Sequence, residues 1–86
     1  MYDIVMTEKV VTTLQKIPKA DVDRFLRKLD IIAKDPYASL PFVKRLKNSQ
    51  YFRFRFGDYR SIYNVAKMIL TITVIDVAHR SEIYRR

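Results

Sequence analysis

Cysteine is absent from the 86 residues, which rules out a disulfide framework and a thiolate metal site and is compatible with a reducing cytoplasm. Glycine occurs once, at Gly57, so no glycine-rich loop can cradle a nucleotide. Neither a GxSxG elbow nor a His/Cys zinc set can be assembled. No apolar run approaches the roughly 18 residues of a membrane span, and the start Met1-Tyr2-Asp3-Ile4-Val5-Met6 lacks the basic region and longer apolar core of a signal peptide. The chain is therefore expected to be soluble and cytoplasmic, with no membrane partner and no small-molecule cofactor. Acidic residues are scarce in the C-terminal half: Asp58 stands in a turn sequence, Asp76 is isolated in a strand pattern, and Glu82 lies close to Arg80 and Arg85. A two-metal nuclease centre needs clustered carboxylates, so no metal site is expected, and phosphate chemistry without metal is what remains.

What is present is a compact, basic domain. A chain of 86 residues suffices for one two-layered unit, residues 1–86, but not for a second domain. An apolar content of 49% with 13% aromatics provides the buried surface that disordered chains lack. Residues 1–40 carry seven Lys or Arg and six Asp or Glu, whereas residues 41–86 carry ten and three, so +7 of the net +8 falls in the second part. A localised excess of this kind points to a polyanion, because neutralised phosphates release counterions and the field speeds encounter. The charges do not fall on an amphipathic helix, which argues against a membrane surface.

The pattern along the chain predicts β-α-α-β-β-β. Tyr2 to Met6 reads as a short strand. Thr7 is placed to cap a helix whose Val10, Leu14 and Ile17 recur at helical spacing up to Pro18. A second helix starts near Asp21, carries the stripe Val22, Phe25, Leu26, Leu29, Ile32 and Ala33, and closes at Asp35-Pro36. Arg24, Arg27, Lys28 and Asp30 read as its solvated side. Pro36 to Gln50 is irregular and contains the first basic cluster, Lys44-Arg45-Leu46-Lys47. Strands follow at Tyr51–Phe56, from Tyr59 to Val65 and from Met68 to Val77, the last two joined near Ala66-Lys67. The expected fold is α+β, a helical hairpin on one face of a mostly antiparallel four-stranded sheet.

The segment Tyr51-Phe52-Arg53-Phe54-Arg55-Phe56 alternates strictly, which buries the three phenylalanines and puts Arg53 and Arg55 on the other face. Gly57 suits the first central position of a type II′ hairpin turn, which requires a positive φ. With Gly57-Asp58 as the whole loop, Phe56 opposes Tyr59, Arg55 opposes Arg60, Phe54 opposes Ser61 and Arg53 opposes Ile62. Opposed like charges weaken a strand pair unless an anion bridges them. Arginine suits phosphate, since its planar fork donates two parallel hydrogen bonds. Exposed arginines that only guard the sheet against aggregation would account for the hairpin, but not for Lys44, Arg45 and Lys47 before it or Arg80, Arg85 and Arg86 after it. His79, at the rim of an apolar strand beside Arg80 and near Tyr84, is a titratable candidate for proton transfer.

The run Lys44-Arg45-Leu46, the block Tyr51-Phe52-Arg53-Phe54-Arg55 with Gly57-Asp58-Tyr59-Arg60-Ser61-Ile62-Tyr63, and the ending Val77-Ala78-His79-Arg80 with Ile83-Tyr84 resemble the RelE/ParE toxin superfamily over nearly the whole chain. The resemblance implies a toxin of a type II toxin-antitoxin system with a RelE-like fold. It implies an endoribonuclease that enters the ribosomal A site and cleaves bound mRNA, with the ribose 2′-hydroxyl as nucleophile and a cyclic phosphate as product. The partners implied are the ribosome, mRNA and a cognate RelB-like antitoxin. By position, Arg53, Arg55 and Arg60 would hold the scissile phosphate, Arg80 would act at the leaving oxygen, and Tyr84 would orient or deprotonate the 2′-hydroxyl. Lys44, Arg45, Lys47, Arg85 and Arg86 would bind RNA around them. Well-studied relatives carry lysines at the paired strand positions, where this chain has arginines that do not move protons; His79 and Tyr84 are then expected to do so. Two alternatives stand beside this: a ParE-like toxin that poisons DNA gyrase, and a nonenzymatic RNA-binding module.

Overall fold

The computed structural model describes residues 1–83 and, of these, the side chains through Ser81. The elements run β1 (Asp3–Met6), α1 (Glu8–Leu14), α2 (Lys19–Lys34), β2 (Val43–Arg45), β3 (Tyr51–Phe56), β4 (Tyr59–Ala66), a 3-10 turn (Lys67–Ile69), β5 (Thr71–His79) and α3 (Arg80–Ile83). The strands form one sheet in the order β1-β5-β4-β3-β2. β1 runs parallel to β5, and every other pairing is antiparallel.

Local chemistry sets the helix boundaries. The Thr7 hydroxyl accepts the Val10 N–H at 3.3 Å, capping α1. Pro18 opens α2, where its fixed φ is tolerated, so the helix begins two residues before Asp21. α2 buries Phe25, Leu29, Ile32 and Ala33, while Leu26 remains 44% exposed. The buried stripe is thus narrower than periodicity alone implies. Phe25 stacks on Phe54 and tilts against Phe56, with centroids 5.7 and 5.1 Å apart. That contact fixes the phenylalanine side of β3 against the helices. Phe52 stacks on Tyr63 at 5.3 Å, and these rings join Val10, Ile72, Val74 and Val77 in one core. Truncating Phe25 to alanine would cost about 3–5 kcal/mol, the usual range for a fully buried phenylalanine.

Two sequence expectations need correction. The sheet has five strands rather than four, because β2 emerges from the irregular stretch after Pro36. Three residues are too few to display alternation, and the strand exists through its ladder to β3. The last strand begins at Thr71 rather than Met68: Met68, Ile69 and Leu70 form an exposed turn, and Leu70 takes a left-handed conformation at φ 48°. Their apolarity mimicked a strand, but the reversal of direction between β4 and β5 had to be made somewhere. Among the described residues no helix is long and apolar enough to cross a membrane.

Candidate nucleic-acid interface

The β3–β4 hairpin builds the site. Gly57 has φ +57°, the left-handed value that lets a two-residue loop match strand twist. The resulting register pairs Phe56 with Tyr59, Arg55 with Arg60, Phe54 with Ser61 and Arg53 with Ile62. On the outer side Lys44 pairs with Arg53, and Arg45 with Phe52. Since paired residues share a face, Lys44, Arg53, Arg55 and Arg60 all project from the side opposite Phe52, Phe54 and Phe56. They line an open cleft of about 240 Å³ together with Pro41, Phe42 and Val43. The Arg60 guanidinium folds back to donate to the Tyr59 carbonyl at 3.1 Å. Such a cleft can grip a phosphate with several forks and hold its charge as it grows, but guanidinium groups do not exchange protons at physiological pH.

The other expected residues divide. Arg45 sits on the helix side, its guanidinium 5.5 Å from the Phe52 ring centre; Lys47 is exposed beyond β2. Arg80 is exposed at the start of α3, where its N–H donates to the Asp58 carbonyl at 2.8 Å, pinning it beside the hairpin turn. Tyr84, Arg85 and Arg86 lie outside the described residues.

His79 is turned away from the arginines. It pairs with Tyr59, its ring meets Tyr59 edge-on at 5.5 Å, and it lines a separate cleft with Lys9, Thr13 and Lys16 of the α1 region. Its Nδ1 accepts the Ser81 N–H at 3.3 Å and lies 3.0 Å from the Ser81 hydroxyl. The cause is a register shift in the β4–β5 ladder: Tyr63 pairs with Val74 but Ile62 with Asp76, leaving Ile75 as an extra residue. A one-residue bulge reverses which face every later side chain occupies. Without it, the alternation through Ile72 and Val74 would carry His79 to the arginine face.

One residue near the cleft was missed by the sequence reading. Lys28, assigned there to the solvated side of α2, reaches over the sheet edge to donate to the Arg55 carbonyl at 2.8 Å. Its ammonium stands 5.0 Å from the Phe42 ring centre. Burial lowers its pKa from the ordinary lysine value, and the charges of Arg55, Arg24 and Arg60 lower it further. Its place between the buried Phe25 and Leu29 in sequence, at the margin of the apolar stripe, was the available signal.

The sequence matches the family described as ParE toxin of type II toxin-antitoxin system, parDE, over residues 4–84. Among solved structures, the chain is similar to one in the archaeal RelE–RelB complex from Pyrococcus horikoshii OT3, with 34% identity, TM-score 0.81, and coverage of 92% of this chain and 94% of that one. It also shares its fold with the isolated E. coli RelE toxin, at 20% identity, TM-score 0.79, and coverage of 99% and 93%. The YoeB/ParE toxin from Agrobacterium tumefaciens matches at 19% identity, TM-score 0.74, and coverage of 90% and 96%. No curated protein sequence matches.

Proposed function

We propose that this chain, which belongs to the ParE toxin family of type II toxin-antitoxin systems, acts as an endoribonuclease of the RelE kind on mRNA held in the ribosomal A site. The observation that carries the reading is the direct opposition of Arg55 and Arg60, flanked by Arg53 and Lys44 around one open cleft. Opposed like charges are unfavourable in a sheet unless an anion lies between them, and the scissile phosphate is that anion. In the reaction the ribose 2′-oxygen bonds to phosphorus, the bond to the 5′-oxygen breaks, and a cyclic phosphate results. Arg53, Arg55 and Arg60 hold the phosphate oxygens and stabilise the charge that builds on them. Arg80, beside the turn, acts at the leaving oxygen, and Tyr84 orients the 2′-hydroxyl. Lys44, Lys47, Arg85 and Arg86 extend the contact along the RNA backbone. Arg45, its guanidinium held over Phe52 on the helix side of the sheet, lies outside that contact.

The partner expected to restrain this activity is a RelB-like antitoxin. The reading is supported by the 34% identity with the RelE–RelB complex of P. horikoshii and by the fold shared with the E. coli RelBE complex. The +7 carried by residues 41–86 calls for an acidic chain that covers the cleft. A second reading, poisoning of DNA gyrase, is favoured by the family match itself, whose description is ParE toxin. Primer-extension mapping of transcripts after brief expression separates the two. Cuts within translated codons support the nuclease; intact transcripts with altered supercoiling favour the gyrase poison; intact transcripts and normal supercoiling leave an RNA-binding module.

A further inference from the structure

We propose that Lys28 is the proton acceptor of the arginine cleft, the group that takes the 2′-hydroxyl proton, an inference that rests on the endoribonuclease reading above. The chemistry sets the need: an attacking hydroxyl must lose a proton, and arginine does not accept one. His79 is on the other face of β4 and β5, beyond the bulge. Lys28 instead touches two residues of the cleft wall, Arg55 and Phe42. The β2–β3 ladder ends at the pair Val43 and Phe54, so Arg55 lies past the last paired residue of β2. Its carbonyl at the open sheet edge is taken instead by Lys28 Nζ at 2.8 Å. The same Nζ lies 5.0 Å from the ring centre of Phe42, and both Phe42 and Arg55 line the cleft.

The surroundings lower the pKa of the Lys28 ammonium, the direction a base requires. From its own helix Lys28 faces Arg24, whose guanidinium is paired with Asp21 at 2.8 Å. From β3 it faces Arg55, and from β4 Arg60. Partial burial removes water from the ammonium, and the three arginines repel its charge, so each influence promotes loss of its proton. A neutral amine keeps two N–H groups, one of which still donates to the Arg55 carbonyl, and presents a lone pair. In the step, the O–H bond breaks as N–H and O–P bonds form, and the 5′-oxygen leaves with its electron pair and takes a proton from water. Lys28 then returns its own proton to solvent.

A purely structural role, capping the edge carbonyl, makes a different prediction. Arginine at position 28 keeps the charge and the donor but cannot act as a base, so Lys28→Arg rescues a structural role and not a catalytic one. Single-turnover cleavage of ribosome-bound mRNA by the full chain is measured from pH 6 to 10 for wild type, Lys28→Arg and His79→Gln. The expected result is a wild-type rate that rises with pH, a Lys28→Arg rate lower by about 100-fold with a flattened profile, within the usual range for loss of a general base, and a His79→Gln profile like that of wild type. Lys28→Arg with wild-type rate and profile overturns the proposal, as does flattening in His79→Gln instead. If wild type itself makes no cut, the endoribonuclease reading has failed, and the proposal falls with it. A measurement independent of RNA is the NMR titration of lysine side chains in the intact protein. Lys28 is expected to lose its proton before the exposed lysines and at higher pH once Arg55→Gln is introduced; titration together with the exposed lysines overturns the proposal.

Discussion

Arg55 of β3 and Arg60 of β4 stand directly opposite one another across the hairpin, so folding brings two permanent charges onto neighbouring positions of one face. Opposed like charges cost a sheet roughly 0.2–1 kcal/mol. Arg55→Gln is accordingly expected to leave stability in urea unchanged or raised by up to about that amount, while cleavage falls about 100-fold, as when one donor to a developing oxyanion is lost. Loss of more than about 1 kcal/mol in the variant would mean that Arg55 serves the fold instead.

The division of the first basic cluster between two faces gives a test of which charges meet RNA. Lys44 pairs with Arg53 on the cleft side, whereas Arg45 is held over Phe52 on the other. Each phosphate contact to a single strand contributes about −0.7 to the slope of log K against log salt. Lys44→Gln should make the slope shallower by about that much, and Arg45→Gln should leave it unchanged. Fluorescence anisotropy with a short single-stranded RNA at several salt concentrations measures both; equal effects would contradict the facial assignment.

Gly57 is constrained twice. Its φ is +57°, and a Cβ built there would come within 2.6 Å of Asp21 Oδ1, the atom that pairs with Arg24. Gly57→Ala should destabilise the protein by about 1–2 kcal/mol, the size expected for a non-glycine residue held in the left-handed region with an added clash. Asp21→Ala in the same chain removes the clash but not the backbone strain. A double-mutant cycle in urea should therefore show partial recovery, and full additivity would remove the steric part of the account.

Tyr63 carries a buried hydroxyl with no hydrogen-bond partner among the described residues, and burial pushes its pKa above the ordinary tyrosine value. The phenol stays protonated in the folded state at a pH where the unfolded chain, with a pKa near 10, has already released that proton. Fewer protons are then bound to the unfolded state, so this contribution is intact below about pH 10 and declines as pH rises past it. Tyr63→Phe should equal or exceed wild type in stability at neutral pH, since no bond is lost, and should lose less stability between pH 9 and 11. Parallel decline of the two proteins in thermal melts over that range would refute the assignment.

Much of the site was legible because strand geometry has a period of two. In Phe52-Arg53-Phe54-Arg55-Phe56 the apolar residues must share a face, and the single glycine at position 57 fixes where the chain turns; together they specify the opposition of Arg55 and Arg60 independently of the rest of the fold. The helices were equally readable from Thr7, Pro18 and the Phe25, Leu29, Ile32 stripe, because caps and periodicity are local. β2 was not, since three residues carry no period and their pairing depends on a strand that follows later in the chain.

Two decisions belonged to the tertiary structure alone. The bulge at Ile75 sends His79 to the helix side; the alternation of Thr71, Ile72, Thr73 and Val74 does change phase at Ile75-Asp76-Val77, but only the ladder to β4 decides that this change is a bulge that turns the rest of the strand over. Lys28 looks like any solvated lysine until α2 is laid against the edge of β3, where the carbonyl of Arg55 lacks a strand partner and the lysine supplies one. Alternation within one strand is set by bond geometry and is written in the sequence. Which element covers an open edge, and where a ladder slips by one residue, is set by packing between segments distant in the chain.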